Sequence, residues 1–236
     1  MAPLKPIAII PVFNERAHIG KLLERFPPRE QCALVVIDDG SDDGTSEEIR
    51  RHNVPVVRHE VRSGVGACLQ DGIAYAAQNG FDTVVVMAGN GKDDPQEIPR
   101  LLTAIEQGMD YVQGSRFLQG GAFQNLPRGR WFGVKGLTWV WCLVMGRRLT
   151  DVTNGFRAYR MTFLNLPGIN WRQPGLRTYE FEYYVHYWAL KKGVRFCEVP
   201  VSKNYPTKKN YSKIKPGRDW WRIIKPLFLL RLGVWK

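Results

Sequence analysis

The first half of the chain alternates short apolar runs with longer segments of helical periodicity. The apolar runs, which predict strands, are residues 7–12, 33–37, 55–57 and 83–87. Amphipathic patterns predict the intervening helices at residues 15–26, 43–51 and 64–79, with a fourth after Pro95. Strands that alternate with helices in this way form a mostly parallel sheet covered by helices, so we expect an α/β fold.

The second half of the chain is less regular. Residues 131–145 and 180–192 predict two further helices, and residues 111–113 and 194–201 predict two strands. No internal repeat or linker divides the sequence, so residues 1–218 are expected to fold as one domain with two halves, 1–110 and 111–218. Its sheet is expected to be of the Rossmann-like kind, flanked by helices.

Polar loops follow three of the predicted strands in the first half. In a parallel sheet, ligands bind beyond the carboxyl ends of the strands, so these loops should line one crevice. The loops are Asn14-Glu15, Asp38-Asp39-Gly40-Ser41 and Asn90-Gly91-Lys92-Asp93-Asp94.

Two adjacent carboxylates, Asp38 and Asp39, end one of these strands. A carboxylate only accepts hydrogen bonds, so it can pair with a ring N–H of uracil or guanine. The pair therefore indicates recognition of a nucleotide base. Asp42 and Asp43 stand in the turn that follows, where turn and helix-capping roles are expected of them.

Two linked motifs carry a resemblance to a known family. The motifs are Pro11-Val-Phe-Asn-Glu15 and Val35-Val-Ile-Asp-Asp-Gly-Ser-Asp-Asp-Gly-Thr45. Together they resemble the opening of the family 2 glycosyltransferases, which have the GT-A fold. Further motifs in the same order make nearly the whole chain similar to the branch with dolichyl-phosphate mannosyltransferases and bacterial polyprenyl-phosphate sugar transferases. They are Arg62-Ser-Gly-Val-Gly-Ala67, Gly114-Ser-Arg-Phe117, Asp151-Val-Thr-Asn-Gly-Phe-Arg157, Glu198-Val-Pro200 and Tyr211-Ser-Lys213.

The resemblance implies a transferase that moves a hexose, with inversion, from a UDP- or GDP-sugar to polyprenyl phosphate. Residues 1–110 would bind the nucleotide and residues 111–218 the acceptor. The implied nucleotide-binding residues are Pro11, Phe13, Asn14, Glu15, Asp38, Asp39 and Gly66. The residues implied for catalysis and the acceptor phosphate are Arg116, Asp151, Arg157 and Lys213. A guanidinium suits this task because its planar fork can bind two phosphate oxygens at once.

The chain departs from the family where a metal ion would bind. Family members usually carry Asp-x-Asp after the fourth strand, and this chain has Ala88-Gly89-Asn90. Our first expectation is a displaced site in which Asn90 and either Asp93 or Asp94 hold Mg²⁺ or Mn²⁺. Two alternatives stay open: Lys92 supplies the positive charge itself, or the protein binds a nucleotide sugar without transferring it.

The distribution of charge bears on the acceptor. Residues 1–110 contain 11 Lys and Arg against 17 Asp and Glu, whereas residues 111–236 contain 23 against 5. A lipid phosphate is already anionic near neutral pH and needs cations rather than a base, so the basic half favours a phosphate acceptor. A glycan or small-molecule hydroxyl is the alternative, with Asp151 as its candidate base. An equally good interpretation of Asp151 is that it anchors the turn at 153–155.

The last stretch, residues 219–236, is rich in aromatic and aliphatic residues. Arg222, Lys225, Pro226 and Arg231 interrupt it, so it does not predict a transmembrane helix. We expect an amphipathic segment on an anionic membrane surface, or else a terminal helix packed on the body.

The remaining sequence features narrow the location and the partners. No signal peptide is evident, so we expect a cytoplasmic protein, peripheral at the inner face of the membrane. The four cysteines have no metal or disulfide spacing, and no nucleic-acid-binding motif is present, which argues against those classes. The oligomeric state stays open.

Overall fold

A computed structural model describes residues 3–205 and 218–234 of the chain. Its strands are β1 (Pro6–Val12), β2 (Ala33–Asp38), β3 (Val56–Arg58), β4 (Thr83–Val86), β5 (Tyr111–Ser115), β6 (Ala122–Gln124), β7 (Arg157–Arg160), β8 (Phe196–Pro200) and β9 (Ser202–Asn204). Its α-helices are α1 (Arg16–Glu24), α2 (Thr45–Arg50), α3 (Val65–Gln78), α4 (Ile98–Glu106), α5 (Arg128–Met145), α6 (Met161–Leu164), α7 (Glu180–Lys191) and α8 (Arg218–Arg231).

The main sheet contains seven strands in the order β3-β2-β1-β4-β7-β5-β8. Strand β1 pairs in parallel with β2 and β4, β2 pairs in parallel with β3, and β5 pairs in parallel with β8. Strand β7 runs antiparallel between β4 and β5. The prediction of a mostly parallel sheet flanked by helices is therefore confirmed. Strands β6 and β9 form a separate two-stranded sheet.

Alternate residues of the central strand β1 face two separate hydrophobic cores, as the two-residue period of a strand requires. Ile7 and Ile9 pack on the face that carries residues of α3, α5, α7 and α8. Ala8 and Ile10 pack on the opposite face, against residues of α1, α2 and α4. Because both faces are covered, the run 7–12 is apolar throughout rather than alternating.

The C-terminal helix α8 packs on α7. Leu227 and Leu230 are buried in the first core, and the Tyr187 hydroxyl donates to the carbonyl oxygen of Leu230 at 3.4 Å. In the described ranges, no helix combines the length and the apolar character needed to cross a bilayer. The face of α8 that carries Leu227 and Leu230 therefore packs on the body of the protein.

Helix α3 begins beneath the backbone of residues 176–178. The amide of Ala67 donates to the carbonyl oxygen of Arg177 at 3.0 Å. A Cβ atom on Gly66 would lie 2.0 Å from the carbonyl oxygen of Leu176 and 2.6 Å from that of Thr178. The glycine that the resemblance assigns to the nucleotide is thus required by the close approach of two backbone segments.

We expect Gly66→Ala to lower the free energy of unfolding by about 2 kcal/mol, because the added methyl group must displace backbone rather than a side chain. Urea unfolding followed by circular dichroism measures this change. Gly136 is the matched control, since it is exposed in α5 with nothing within 4 Å of a Cβ. Gly136→Ala should raise stability by about 0.5–1 kcal/mol through helix propensity alone. Equal effects of the two changes would contradict the packing role of Gly66.

Candidate active site

The loops that follow β1 and β2 are fastened to each other by hydrogen bonds. The amide of Asn14 donates to Ser41 Oγ at 3.0 Å, and the amide of Glu15 donates to Thr45 Oγ1 at 2.9 Å. The Asn14 side chain exchanges two hydrogen bonds with Asp42, and its φ of 53° lies in the left-handed region that asparagine tolerates. The hydrogen bonds between Asn14 and Asp42 therefore hold the loops after β1 and β2 together.

The loop after β4 joins the same edge of the sheet. The amide of Gly89 donates to the carbonyl oxygen of Pro11 at 3.2 Å. A Cβ on Gly89 would lie 2.3 Å from Val12 Cγ1, so only glycine lets the two loops approach this closely. Phe13 lies at this edge with the guanidinium of Arg62 over its ring, 4.1 Å from the centroid. The three polar loops are thus adjacent at the edge of the sheet where the sequence predicts one crevice.

Asp38 is completely buried at the end of β2. Its carboxylate accepts hydrogen bonds from the amide of Ser41, at 3.0 Å, and from the hydroxyl of Ser46. Arg58 lies 3.8 Å from the same carboxylate. A direct contact between Asp38 and a nucleotide base would require the surrounding chain to move, because Asp38 has no exposed surface.

Asp39 holds the start of α3. Its carboxylate accepts from the amides of Ser63, at 2.7 Å, and Gly64, at 2.9 Å, and it lies 2.9 Å from His59 Nδ1. Asp39, His59 and Cys68 form the one cluster among the described residues whose spacing suits a metal ion. Burial and the Asp39 charge raise the pKa of the Cys68 thiol far above its usual range. The Cys68 thiol is therefore protonated, and the Asp39 carboxylate already accepts hydrogen bonds from backbone amides.

Of the two predicted metal-binding carboxylates, Asp94 faces away from the crevice. Both of its oxygens bind Arg25 Nη2, at 2.9 and 2.8 Å, and one accepts from the amide of Gln96. Asp94 therefore serves as an ion-pair partner and as the cap of the short 3₁₀ turn Pro95–Glu97. It does not join Asn90 and Asp93 in a ligand set.

Asp93 is buried and paired with a lysine from the second half of the chain. Lys203 Nζ lies 2.6 Å from Asp93 Oδ1 and 2.9 Å from Asn154 Oδ1. Asp93 Oδ2 has no hydrogen-bond partner among the described residues. Lys203 was not among the predicted site residues, because it stands in no recognisable motif and other lysines surround it in the sequence.

Lys92 lies in the same cationic group. Burial and the nearby charges of Lys203 and Arg130 lower its pKa to about 8. Asn90 Oδ1 accepts from the amide of Lys92 at 3.3 Å. Two carboxylates, Glu15 and Asp93, lie near Lys92, but three cations, Lys92, Lys203 and Arg130, outnumber them. A divalent ion would therefore enter a place that is already positively charged. The residues here do not fit such an ion.

Arg116 and Asp151 form a buried, two-pronged ion pair. Arg116 Nε and Nη2 donate to the two oxygens of Asp151 at 2.6 and 2.7 Å. The remaining donor, Nη1, binds the Tyr205 hydroxyl, and Nη2 also binds the Thr153 hydroxyl. Burial acts to raise the pKa of Asp151, but the Arg116 charge and hydrogen bonds hold that pKa below its usual value.

Asp151 also accepts the amide of Thr153 at 3.2 Å, so its contacts are those of a residue that anchors the 153–155 turn. A general base needs an accessible oxygen within reach of the acceptor proton, and Asp151 has no exposed surface.

Arg157 is buried behind the same loop. Its guanidinium donates to the carbonyl oxygens of Asn154, Glu182 and Val152 at 2.9, 2.6 and 3.1 Å. It therefore holds the backbone around this loop through three carbonyl oxygens. Lys213, predicted to bind the acceptor phosphate, lies outside the described residues.

Polar loops at the carboxyl edge of the parallel strands stand where doubly wound α/β enzymes bind their ligands, nucleotides among them. The family model described as Glycosyl transferase family 2 matches residues 7–177. The chain belongs to this family, and it is a glycosyltransferase.

Two curated relatives match most of the chain. One is a polyprenol monophosphomannose synthase of Mycolicibacterium smegmatis, 30% identical over 205 residues, which are 84% of this chain and 77% of the relative. The other is an undecaprenyl-phosphate mannosyltransferase of Micrococcus luteus, 29% identical over 212 residues, which are 84% of this chain and 83% of the relative.

The fold also matches a solved structure of glucosyl-3-phosphoglycerate synthase from Mycobacterium tuberculosis, in complex with Mn²⁺, UDP and glucosyl-3-phosphoglycerate. The TM-score is 0.71 at 18% identity, with 98% of this chain and 81% of the solved chain covered. At this identity the likeness establishes the GT-A fold.

We expect Asp151→Asn to lower the free energy of unfolding at pH 7 by about 3 kcal/mol, because it leaves the buried Arg116 charge uncompensated. The measurement is urea unfolding at a series of pH values. The folded pKa of Asp151 is depressed, so the stability it provides is present above its unfolded pKa of about 3.9 and is lost as the pH falls below that value. The difference between the wild type and the variant should shrink accordingly.

The matched control is Asp110→Asn, which removes an ion pair with the largely exposed Arg195. A much smaller loss is expected there, because water screens an exposed pair. A loss at Asp151 no larger than that at Asp110 would contradict the anchoring role.

Proposed function

We propose that this glycosyltransferase moves a hexose, with inversion at the anomeric carbon, from a UDP- or GDP-sugar to polyprenyl phosphate. The curated relatives bear names for transfer of mannose to such lipids. The observation that carries the proposal is the state of the acceptor side of the crevice. Its predicted base, Asp151, is completely buried and paired with Arg116 at 2.6 Å, so it offers no accessible oxygen to deprotonate a hydroxyl acceptor.

The chemistry of a phosphate acceptor fits this arrangement. A phosphate oxygen attacks the anomeric carbon as the bond from that carbon to the donor diphosphate breaks. The attacking oxygen is already anionic, so no proton has to be removed from it. The enzyme must instead hold two anions together and stabilise the charge that develops on the leaving group, which requires fixed cations.

The acceptor would lie in a membrane, and α5 has a surface suited to one. Phe132, Trp139 and Leu143 are 67%, 64% and 62% exposed, and their spacing places them on one face of the helix. The opposite face is buried through Val134 and Trp141. We propose that the exposed face, called here the α5 stripe, lies in the interfacial region of the bilayer.

The charge around the α5 stripe supports an anionic lipid surface as its partner. Residues 111–150 contain six Lys and Arg and no Asp or Glu. Five of these cations stand in or beside the helix: Arg128, Arg130, Lys135, Arg147 and Arg148. Aromatic and aliphatic side chains on one face, with basic residues around them, are the composition of helices that bind the surface of anionic bilayers. On this proposal the enzyme is peripheral, at the inner face of the membrane.

The function is tested with purified protein, vesicles that contain polyprenyl phosphate, and a panel of radiolabelled UDP- and GDP-sugars. We expect one donor to give a lipid-linked hexose whose anomeric configuration is opposite to that of the donor. Vesicles with polyprenol in place of its phosphate are the control, and transfer to them would favour a hydroxyl acceptor. Donor binding without transfer or hydrolysis across the panel would instead indicate a binding protein.

The membrane surface is tested by sedimentation with vesicles rich in anionic lipid. We expect the double variant Phe132→Ser, Trp139→Ser to bind at least about tenfold more weakly, since two large apolar side chains leave the interface. Val61→Ser is the matched control, because Val61 is 73% exposed in a loop distant in sequence from α5. Unchanged binding of a folded double variant would overturn the role of the α5 stripe.

A further inference from the structure

At the predicted diphosphate end of the crevice, cations stand where a metal site would have carboxylates. Where the family usually has two carboxylates, this chain has Ala88 and Asn90. Asp94 is paired with Arg25, and the carboxylates whose charges act on Lys92 are Glu15 and Asp93. Lys203 already neutralises Asp93 at 2.6 Å. Elsewhere in the described ranges, the cluster with metal-like spacing is the one around His59, at another place in the fold.

The two lysines come from facing backbone segments. The amide of Asn204 donates to the carbonyl oxygen of Lys92 at 2.8 Å, and Asp93 forms an isolated antiparallel bridge with Lys203. These contacts tie the loop after β4 to β9 and bring Lys92 and Lys203 into one neighbourhood. Their position is therefore set by the backbone rather than by flexible side chains alone.

Lys203 is held in an orientation that leaves part of its hydrogen-bonding capacity available. Its ammonium group has three N–H donors, and its two partners within the described residues are Asp93 Oδ1 and Asn154 Oδ1. The side chain is only 11% exposed, so solvent screens its charge less than on an open surface. A phosphate oxygen is the kind of acceptor that the third N–H would take.

We propose that the ammonium groups of Lys92 and Lys203 bind the donor diphosphate in place of a divalent metal ion. Each ammonium group carries one positive charge. Asp93 balances part of the Lys203 charge and, with Asn154, holds that ammonium group in place. A leaving diphosphate gains negative charge as its bond to the sugar breaks, and preorganised cations stabilise that charge without rearranging. This inference rests on the proposed use of a nucleotide-sugar donor.

The first test measures binding of UDP and GDP, and of UMP and GMP, by calorimetry in EDTA and again in Mn²⁺. We expect the preferred diphosphate to bind with the same affinity, within about twofold, in both conditions. Loss of binding in EDTA with recovery in Mn²⁺ of tenfold or more would overturn the proposal and would favour a metal at Asn90 and Asp93.

The second test asks which residues carry the preference for a diphosphate over a monophosphate. Lys92→Met and Lys203→Met should each weaken diphosphate binding at least tenfold and leave monophosphate binding within about twofold, which a general loss of structure would not do. Lys203→Arg should restore part of the preference. Lys191→Met, at the exposed end of α7, is the charge-matched control and should change neither affinity.

Lys203→Met leaves the Asp93 carboxylate buried without its partner, and this single variant can fail to fold. The double variant Lys203→Met, Asp93→Asn removes both charges and is used in that case. An unchanged preference in the folded double variant, or in Lys92→Met, would overturn the proposal. These binding measurements need no acceptor. If no transfer to polyprenyl phosphate occurs while lysine-dependent binding in EDTA persists, the proposed acceptor is wrong and the lysine site stands.

Discussion

The buried contact between Asp93 and Lys203 joins the acidic first half of the chain to the basic second half. Two charges taken out of water are stabilising only when their geometry is good and their remaining hydrogen bonds are satisfied. Here a backbone bridge holds the two residues opposite each other and Asn154 binds the ammonium group, whereas Asp93 Oδ2 has no hydrogen-bond partner among the described residues. The loop after β4 is thereby fixed against β9. The amide of Asn204, which donates to the carbonyl oxygen of Lys92, adds a second connection between the same two segments.

Four cations of the candidate site, three from the second half and Lys92 from the first, divide into two groups with different roles. Arg116 and Arg157 are buried and spend their donors on Asp151 and on backbone carbonyl oxygens, so they build the wall of the crevice. Lys92 and Lys203 stand at the crevice itself. A count of basic residues does not separate these groups, because both contribute equally to net charge. The two groups differ because the folded chain surrounds Arg116 and Arg157 with internal hydrogen-bond acceptors.

Most of the first half could be predicted from sequence, because its strands and helices follow the periods of two and 3.6 residues and its loops fall where parallel strands end. Strand β7 could not, since four residues from Arg157 to Arg160 are too few to show a period, and their pairing with β4 and β5 depends on distant segments. The α5 stripe was accessible in principle, because the spacing of Phe132, Trp139 and Leu143 is visible in the sequence.

The predicted site residues show the same limit. Asp38 and Asp39 end a strand, and their contact with a base stays a prediction. The structure adds that their carboxylates accept hydrogen bonds from Ser46 and Gly64, which the sequence pattern does not show. The partners of Lys203, at positions 93 and 154, are far from it in the sequence. Sequence patterns locate the edge of the sheet where ligands bind. The direction of a carboxylate or an ammonium group at that edge depends on its hydrogen-bond partners, and only the folded chain brings those partners together.

A lysine and a metal ion differ in what happens after the sugar has been transferred. A metal ion can leave with the nucleoside diphosphate, whereas a lysine stays in the protein. When the product leaves, the buried ammonium group needs another anion, because an unpaired buried charge is costly. Asp93 meets this need if the lysines bind the diphosphate, because it pairs with Lys203 when the crevice is empty. The carboxylate then competes with the product for the same ammonium group and favours its release. The ion pair would therefore orient Lys203 before the reaction and help to free the product after it.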